Sequence, residues 1–470
     1  MHLLSLVESA PCSPIPQRSP LSVVFSSGAS TRVHQNQGRL KEREKMTKKK
    51  KVQWFWMWVI GSVTLRLILV YFPRNLNLSS RPEVSTPLTS LRRLAEGYWL
   101  KRSSMSPYAG SMYHGSPLLL TFLGPLTVTR IEGQPDQLLC SLVFVIADVI
   151  SATLIRAAGR SLQAAYSSSL KVIGLHQLSE TSGLASLAAF GWVLATHLSL
   201  YPSILIIPVI LLLGYGPDAP PRKLFQQRIK LEVGNSSSIG SNNLKEELKD
   251  QSSVLKVFAW RLVVHFFIWI LLWSSYVLVL CGIYLQKHGG LQELYRRTYG
   301  FILTIPDLSP NIGVLWYFFA EVFDFFRSFF LMVFHGNILL MIMPLALRLN
   351  HRPCFLAFVY IVISSLLKSY PSVGDSALYL GLLGLFSYEL KDIRFSFLLF
   401  AGYVGVSLLS PVMHNLWIWR GTGNANFYYA TAIAYALFQV ALVIECVNCM
   451  LNHDRMVTKL TTTKLKDAKS

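Results

Sequence analysis

Residues 299–327 read YGFILTIPDLSPNIGVLWYFFAEVFDFFR, and this stretch decides the fold. Trp316, Tyr317, Phe318, Phe319, Phe323, Phe325 and Phe326 crowd around two carboxylates, Glu321 and Asp324. Pro306, Pro310 and Gly313 break the backbone at its start. An apolar run that is interrupted by helix breakers and carries acids does not suit a soluble helix. In a bilayer, irregular backbone and ionisable side chains persist only where protein or a cavity encloses them. The stretch therefore predicts a membrane protein whose irregular segments line a polar interior.

The composition agrees. The 470-residue chain is 52% hydrophobic and 14% charged, with a mean hydropathy of +0.41. Several apolar runs reach the roughly 20 residues that cross a hydrocarbon core. The alternating segments of a membrane barrel are absent. The expected fold is an all-α polytopic membrane protein, a multi-span helical bundle. A net charge of +20 suits nucleic acid in a soluble chain. In a membrane chain it marks cytosolic loops, so no nucleic-acid partner is expected. The six cysteines lie mostly in apolar runs, and Cys446-x-x-Cys449 has no second pair at metal-site spacing. They read as small buried apolar side chains.

Working outward, five regions emerge. Residues 1–45 are rich in Ser, Pro and Arg and read as a disordered tail, or as sequence ahead of a start at Met46. Residues 46–216 hold the N-terminal spans, at about 54–72, 137–157, 183–199 and 202–216, with a lumenal loop at 73–116. Lys48–Lys51 before the first span place the N-terminus in the cytosol. The loop carries an Asn-Leu-Ser glycan acceptor at Asn77, and 117–129 is apolar but too short to span. Residues 217–258 read as a flexible cytosolic loop, so the acceptor at Asn235 stays unused. Residues 259–454 hold the C-terminal spans, at about 259–283, 331–347, 353–367, 376–390, 395–412 and 427–451. Residues 455–470 form a basic cytosolic tail. About ten spans then leave both termini in the cytosol. Segments 299–313, 368–375 and 414–426 fall together on the lumenal side, and one shared cavity explains the polar residues in all three.

The candidate site residues come from these segments. Lys368 and Asp375 bracket KSYPSVGD. They form either an ion pair at a helix corner or a contact to a charged ligand group. Asp307 and Asn311, in PDLSPN, read as caps on the next helix or as ligand contacts. Glu321 and Asp324 with Arg327 suit a local i, i+3 network. Asn424 and Asn426, in GTGNANFYY, precede the last span, and capping explains one amide better than both. His114 reads as an interfacial histidine or a ligand contact. There is no GxxxxGK[ST], HExxH, GxSxG or DxD, and no nucleophile–base pair stands out. Glu83 and Glu96 are the only acids of the first lumenal loop.

SPYAGSMYHGSPLLL (106–120), the opening stretch, KSYPSVGDSALYL (368–380) and PVMHNLWIWRGTGNANFYYA (411–430) together resemble the PIG-U family. This family is the U subunit of the glycosylphosphatidylinositol (GPI) transamidase of the endoplasmic reticulum. The resemblance runs from about Val52 to about Asp454. It implies a GT-C-like bundle with no cofactor and a non-catalytic role in presenting the GPI lipid. It also implies a complex with the K, T, S and GAA-type subunits, with the catalytic residues on K. The family's lumenal Asn pair, near bound GPI, falls on Asn424 and Asn426. The sequence departs from the family at residues 1–45, in the longer loop 217–258, and between Arg160 and Gly183. There the family has a further apolar segment, and loss of a hairpin would preserve the orientation downstream. The competing expectation is a glycosyltransferase using a polyprenyl-phosphate sugar, with Glu83 as its base. A transporter would show inverted repeats, and none is seen.

Overall fold

The computed structural model describes Met46, Lys50 and residues 52–70, 81–110, 112–127, 130–131, 134–135, 138–171, 182–219 and 258–467. The expectations for 1–45, for both glycan acceptors, for the departure between Arg160 and Gly183 and for most of 217–258 lie outside the described residues. The chain divides into two compact units, Met1–Leu67 and Ile68–Ser470. Of the first, the structure gives the body of helix α1 (Val52–Val70), whose Trp54, Trp56 and Trp58 are exposed.

The second unit is a bundle of α-helices, with one two-residue ladder pairing Arg130–Ile131 with Gln134–Pro135. The helices are α2 (Leu91–Arg102), α3 (Pro117–Leu123), α4 (Leu138–Lys171), α5 (Ser182–Leu198), α6 (Ile206–Tyr215) and α7 (Trp260–Leu285). Next come α8 (Gly290–Leu294), a π-turn at Tyr295–Gly300 and α9 (Phe301–Thr304). The rest are α10 (Leu315–Glu321), α11 (Asp324–Arg348), α12 (Pro353–Leu367), α13 (Val373–Leu383), α14 (Ser396–Ile418) and α15 (Ala425–Asp467). Among the described residues, six helices are long and apolar enough to cross a membrane, and five apolar helices are shorter. The sequence expected about ten spans.

Several boundaries move. The spans expected to end at 157 and 412 continue to Lys171 and Ile418, so 414–418 is helical rather than irregular. The span expected at 331–347 begins at Asp324, which puts Asp324 and Arg327 in the first turn of α11. The span expected at 376–390 starts earlier, at Val373, because Ser372 and Asp375 form a reciprocal capping box. It gives way to a 3₁₀ turn at Gly384–Phe386. The basic tail does not begin a new element at 455, since α15 continues without a break to Asp467. Its 43 residues measure about 64 Å at 1.5 Å each, about twice the hydrocarbon thickness, so it must project beyond the bilayer.

Helix α12 is the pillar of the C-terminal half. Phe355, Leu356, Phe358, Val359, Tyr360 and Val362 are all essentially inaccessible, so it is apolar all round because protein surrounds it all round. Its 15 residues reach only about 22 Å, which protein neighbours permit and lipid would not. The N-terminal half packs differently. Ala185, Ala189 and Val193 of α5 meet Phe266, Ile270 and Val277 of α7, with small residues on one helix receiving large ones from the other. Gly402 of α14 serves α15 in the same way, because a Cβ there would lie 2.2 Å from the Phe438 ring. The outward faces of α7, α11, α14 and α15 carry exposed Leu, Ile, Phe and Met, as a bilayer-facing surface requires.

One end of α12 is tied by charge. Arg352, 1% exposed, donates to Asp454 of α15 at 2.6 Å and lies 3.6 Å from Glu389. His351 takes the second oxygen of Asp454 at 2.8 Å. Asp218 accepts the Cys354 and Phe355 amides at 2.6 and 3.1 Å, capping α12 from the far side of α6. Residues 217–219, assigned from sequence to the flexible loop, are therefore docked. Burial pushes the Asp218 carboxyl up to about 6 against the pull of those amides and of Arg352. Cys446 and Cys449 are buried thiols inside α15, as their apolar context implied.

Replacing Asp454 with Ala strips the enclosed Arg352 guanidinium of its 2.6 Å carboxylate partner. We expect a loss of about 3–5 kcal/mol, the usual result of stripping one partner from a buried pair. A fall in the thermal midpoint of the detergent-solubilised protein checks it.

Candidate functional site

The three irregular segments converge. After α9 the chain turns at Ile305, held in the left-handed region at φ 49°, which a β-branched side chain resists. Arg327 secures this turn by donating to the carbonyls of Thr304 and Ile305. The expected Glu321–Asp324–Arg327 network is thereby corrected: the guanidinium satisfies backbone oxygens that left their helix, the stronger demand inside apolar surroundings. The 368–375 corner packs directly onto this turn. Ser369 donates to the Ile302 carbonyl at 2.7 Å, and its amide reaches the Tyr201 hydroxyl at 2.8 Å. Tyr370 stacks on Phe301 with ring centroids 5.2 Å apart, and its hydroxyl accepts the Asp307 amide at 3.3 Å. Gly313 passes so close to Pro371 that a Cβ would sit 2.6 Å from the proline ring. The third segment joins through α15, where Tyr429 donates to the Val314 carbonyl at 3.1 Å.

The candidate residues divide by what they hold. Asn311 is buried. Its Oδ1 accepts the Gly313 amide at 2.8 Å, and its Nδ2 donates to the Ser309 carbonyl at 3.2 Å. Asp307 accepts the Ser309 amide at 2.9 Å and the Ser309 hydroxyl, and pairs with Arg93 of α2 at 2.7 Å. Neither caps α10, whose N-cap residue Val314 lacks a side-chain bond, so that part of the expectation is corrected. They build the turn before it and fasten it to α2. Burial alone would raise the Asp307 carboxyl, but the Ser309 bonds and Arg93 outweigh it and hold it below its ordinary value. Lys368 pairs with Asp375 at 2.9 Å, and Asp375 also accepts the Ser372 amide at 2.9 Å. The corner itself accounts for this pair.

The asparagine pair splits in two. Asn424 is the cap of α15, with Oδ1 accepting the Phe427 amide at 3.1 Å. Asn426, one residue into the helix, accepts the Tyr317 hydroxyl instead and stands exposed beside exposed Phe427 and Glu321. The aromatic cluster of the opening stretch turns inward here. Trp316 lies 6.0 Å from Tyr428 and 6.3 Å from Trp417 between ring centroids, and Tyr317 lies 4.7 Å from Tyr429.

Sequence reasoning missed two clusters. In one, His197 of α5 bonds the Ser116 hydroxyl at 2.6 Å and the Tyr299 hydroxyl at 2.8 Å, with the Cys281 thiol at 3.6 Å. All but Tyr299 are fully buried, and Ser116 also caps α3, so the group stitches α3 to the bundle. His114 is likewise inside, stacked on Phe301 at 3.6 Å and bonded to the Arg297 carbonyl, rather than interfacial. In the other cluster, Glu83 is 6% exposed and meets the Ser410 and Tyr428 hydroxyls at 3.3 Å each. The acid considered as a sugar-transfer base thus lies among hydroxyls and aromatic rings. Among the described residues, no three His, Cys, Asp or Glu side chains are grouped to hold a metal. An isolated acid in a basic loop was the signal for this cluster.

Comparison with known proteins bears on the whole chain. A family model described as GPI transamidase subunit PIG-U matches residues 60–181 and 169–435. The two pieces overlap at 169–181, within the stretch where a departure from the family pattern was expected. The chain is 28% identical to the GPI-anchor transamidase component PIGU of Homo sapiens over 447 residues, covering 85% of this chain and 94% of that protein. It is 28% identical to the GPI transamidase component GAB1 of Saccharomyces cerevisiae over 415 residues, 82% and 92% of the two chains.

The geometry of the asparagine pair and of Asp307 leads to two expected outcomes. Asn424→Ala removes a cap and should cost about 1 kcal/mol of stability, while Asn424→Asp restores it and Asn426→Ala leaves stability nearly unchanged. Thermal midpoints of the three variants check this division. Because the folded Asp307 carboxyl lies below its unfolded value, its contribution is present at neutral pH and is lost as pH falls through the folded value. The stability gap between wild type and Asp307→Asn should therefore be widest near pH 7 and close on acidification, as melts across a pH series would record.

Proposed function

Because the chain belongs to the PIG-U family, we propose that it acts as the non-catalytic U subunit of a GPI transamidase. In this reading it helps to bind the GPI lipid and present it for attachment to proteins. The match across residues 60–435 carries the reading. The protein resides in the endoplasmic reticulum membrane with both termini in the cytosol, an orientation supported by Lys48–Lys51 before α1 and by Lys459 and Lys464 late in α15. The convergent segments then face the lumen, where GPI head groups lie. K, T, S and GAA-type subunits are the partners, and peptide cleavage and transfer belong to K.

Asn426 is the residue of the candidate set best placed for the head group. A primary amide offers two donors and an acceptor to hydroxyls and phosphate oxygens. Tyr317 takes up the acceptor and leaves the donors on the exposed side, with Phe427 as an apolar wall for lipid chains. Asn424 shapes the site by fixing the first turn of α15. Lys368, Asp375, Asp307 and Asn311 hold the floor beneath it.

In cells lacking the native subunit, Asn426→Ala should co-purify the other subunits normally and deliver less of a GPI-anchored reporter to the surface. The expected loss in lipid binding is about 1–3 kcal/mol, the usual range for removing a polar contact. Failed co-purification would give Asn426 a structural role. Normal delivery with normal assembly would place the head group elsewhere.

A further inference from the structure

Among the described residues, three of the enclosed polar atoms without a hydrogen-bond partner surround one side chain, Tyr428. They are Glu83 Oε2, Trp316 Nε1 and His414 Nδ1. Glu83 and Trp316 are 6% and 4% exposed. Tyr428 donates to Glu83 Oε1 and has His414 at 5.2 Å, Trp316 at 6.0 Å and Trp417 at 6.3 Å between ring centroids. Glu83 is fixed from behind, since its carbonyl accepts the Val373 amide at 3.0 Å and Ser410 holds the same Oε1 as Tyr428. Arg81, the nearest guanidinium in sequence, donates to the Pro411 carbonyl at 3.5 Å.

Buried polar groups are nearly always paired, because each unpaired one forfeits its bonds to water. Three orphans at one place, one of them half of a carboxylate, describe a negative imprint. Oε2 asks for a strong donor. The faces of Tyr428, Trp316 and Trp417 favour a cation. The Trp316 N–H asks for an acceptor close to that cation. We propose that this pocket binds a protonated primary amine bearing an oxygen two carbons away, the arrangement shared by aminoethyl phosphates and amino sugars. The ammonium donates to Glu83 Oε2, its oxygen accepts from Trp316 Nε1, and His414 Nδ1 completes the shell. His414 and Trp417 are only partly buried, so they form the outer wall that must turn aside for entry. The inference rests on the subunit reading for the natural source of the amine, not for the pocket.

The test uses the intact detergent-purified complex and soluble probes followed by tryptophan fluorescence. O-phosphoethanolamine and glucosamine are titrated against phosphocholine and ethyl phosphate, which lack N–H donors. Saturable quenching by either amine, with no response to the last two, is expected. The amine that binds identifies the source as phosphate ester or amino sugar. Glu83→Gln should weaken that binding at least about tenfold, because it replaces a charge-assisted bond with a neutral one. If that variant fails to assemble, Trp316→Phe keeps the ring but removes the donor, and a weakening of about threefold or more supports the assignment. Equal binding of phosphocholine, or unchanged affinity in the variant that assembles, overturns it. No response to any amine in wild type also overturns it, while co-purification of the other subunits separately decides the subunit reading.

Discussion

A backbone group that leaves its helix among apolar neighbours must find a protein partner, and the architecture around residues 299–314 follows from that demand. The chain breaks at Ile305, Pro306 and Pro310, and several of the freed groups are met by side chains. Arg327 takes the carbonyls of Thr304 and Ile305. Ser369 takes that of Ile302, Asn311 the amide of Gly313, and Tyr429 the carbonyl of Val314. These partners come from α11, from the corner before α13 and from α15, so the break cannot be accommodated without bringing those elements together. The convergence of the three irregular segments follows from satisfying one broken helix.

The two ends of the bundle solve different problems. At the Arg352 end, enclosed charges pair with one another, and the arrangement holds α12 against α15 and the segment after α6. At the convergent end, pairing is incomplete. Asn426 keeps donors on an exposed face, and Glu83, Trp316 and His414 keep unmatched atoms inside. Leaving a buried carboxylate oxygen unmatched costs stability that apolar packing must offset. Functional sites are where folds tolerate such costs.

The sequence disclosed the helices because lipid imposes long apolar runs. Spans at 54–72, 259–283 and 353–367 match their helices to within two residues. It also disclosed that 299–313, 368–375 and 414–426 belong together, because polar residues in such segments need a common shelter. It did not disclose pairing across long separations. Arg327 and Asp324 sit at helical spacing, yet Arg327 serves carbonyls more than twenty positions earlier. Asn424 and Asn426 look equivalent in GTGNANFYY, and only the start of α15 at Ala425 separates a cap from an exposed amide. Glu83 reads as an isolated acid in a basic loop. Its partners lie more than three hundred residues away, beyond the reach of any local pattern.

The central claim is that the end of the bundle built by residues 299–314, 368–375 and 414–426 receives the GPI head group. The most direct measurement places a photoreactive phenylalanine analogue in the assembled complex and supplies clickable GPI before irradiation. The account predicts a GPI adduct when the analogue replaces Phe427, exposed beside Asn426, and none when it replaces Ile444, exposed further along the same helix. Equal labelling at both positions, or labelling at Ile444 alone, would contradict it.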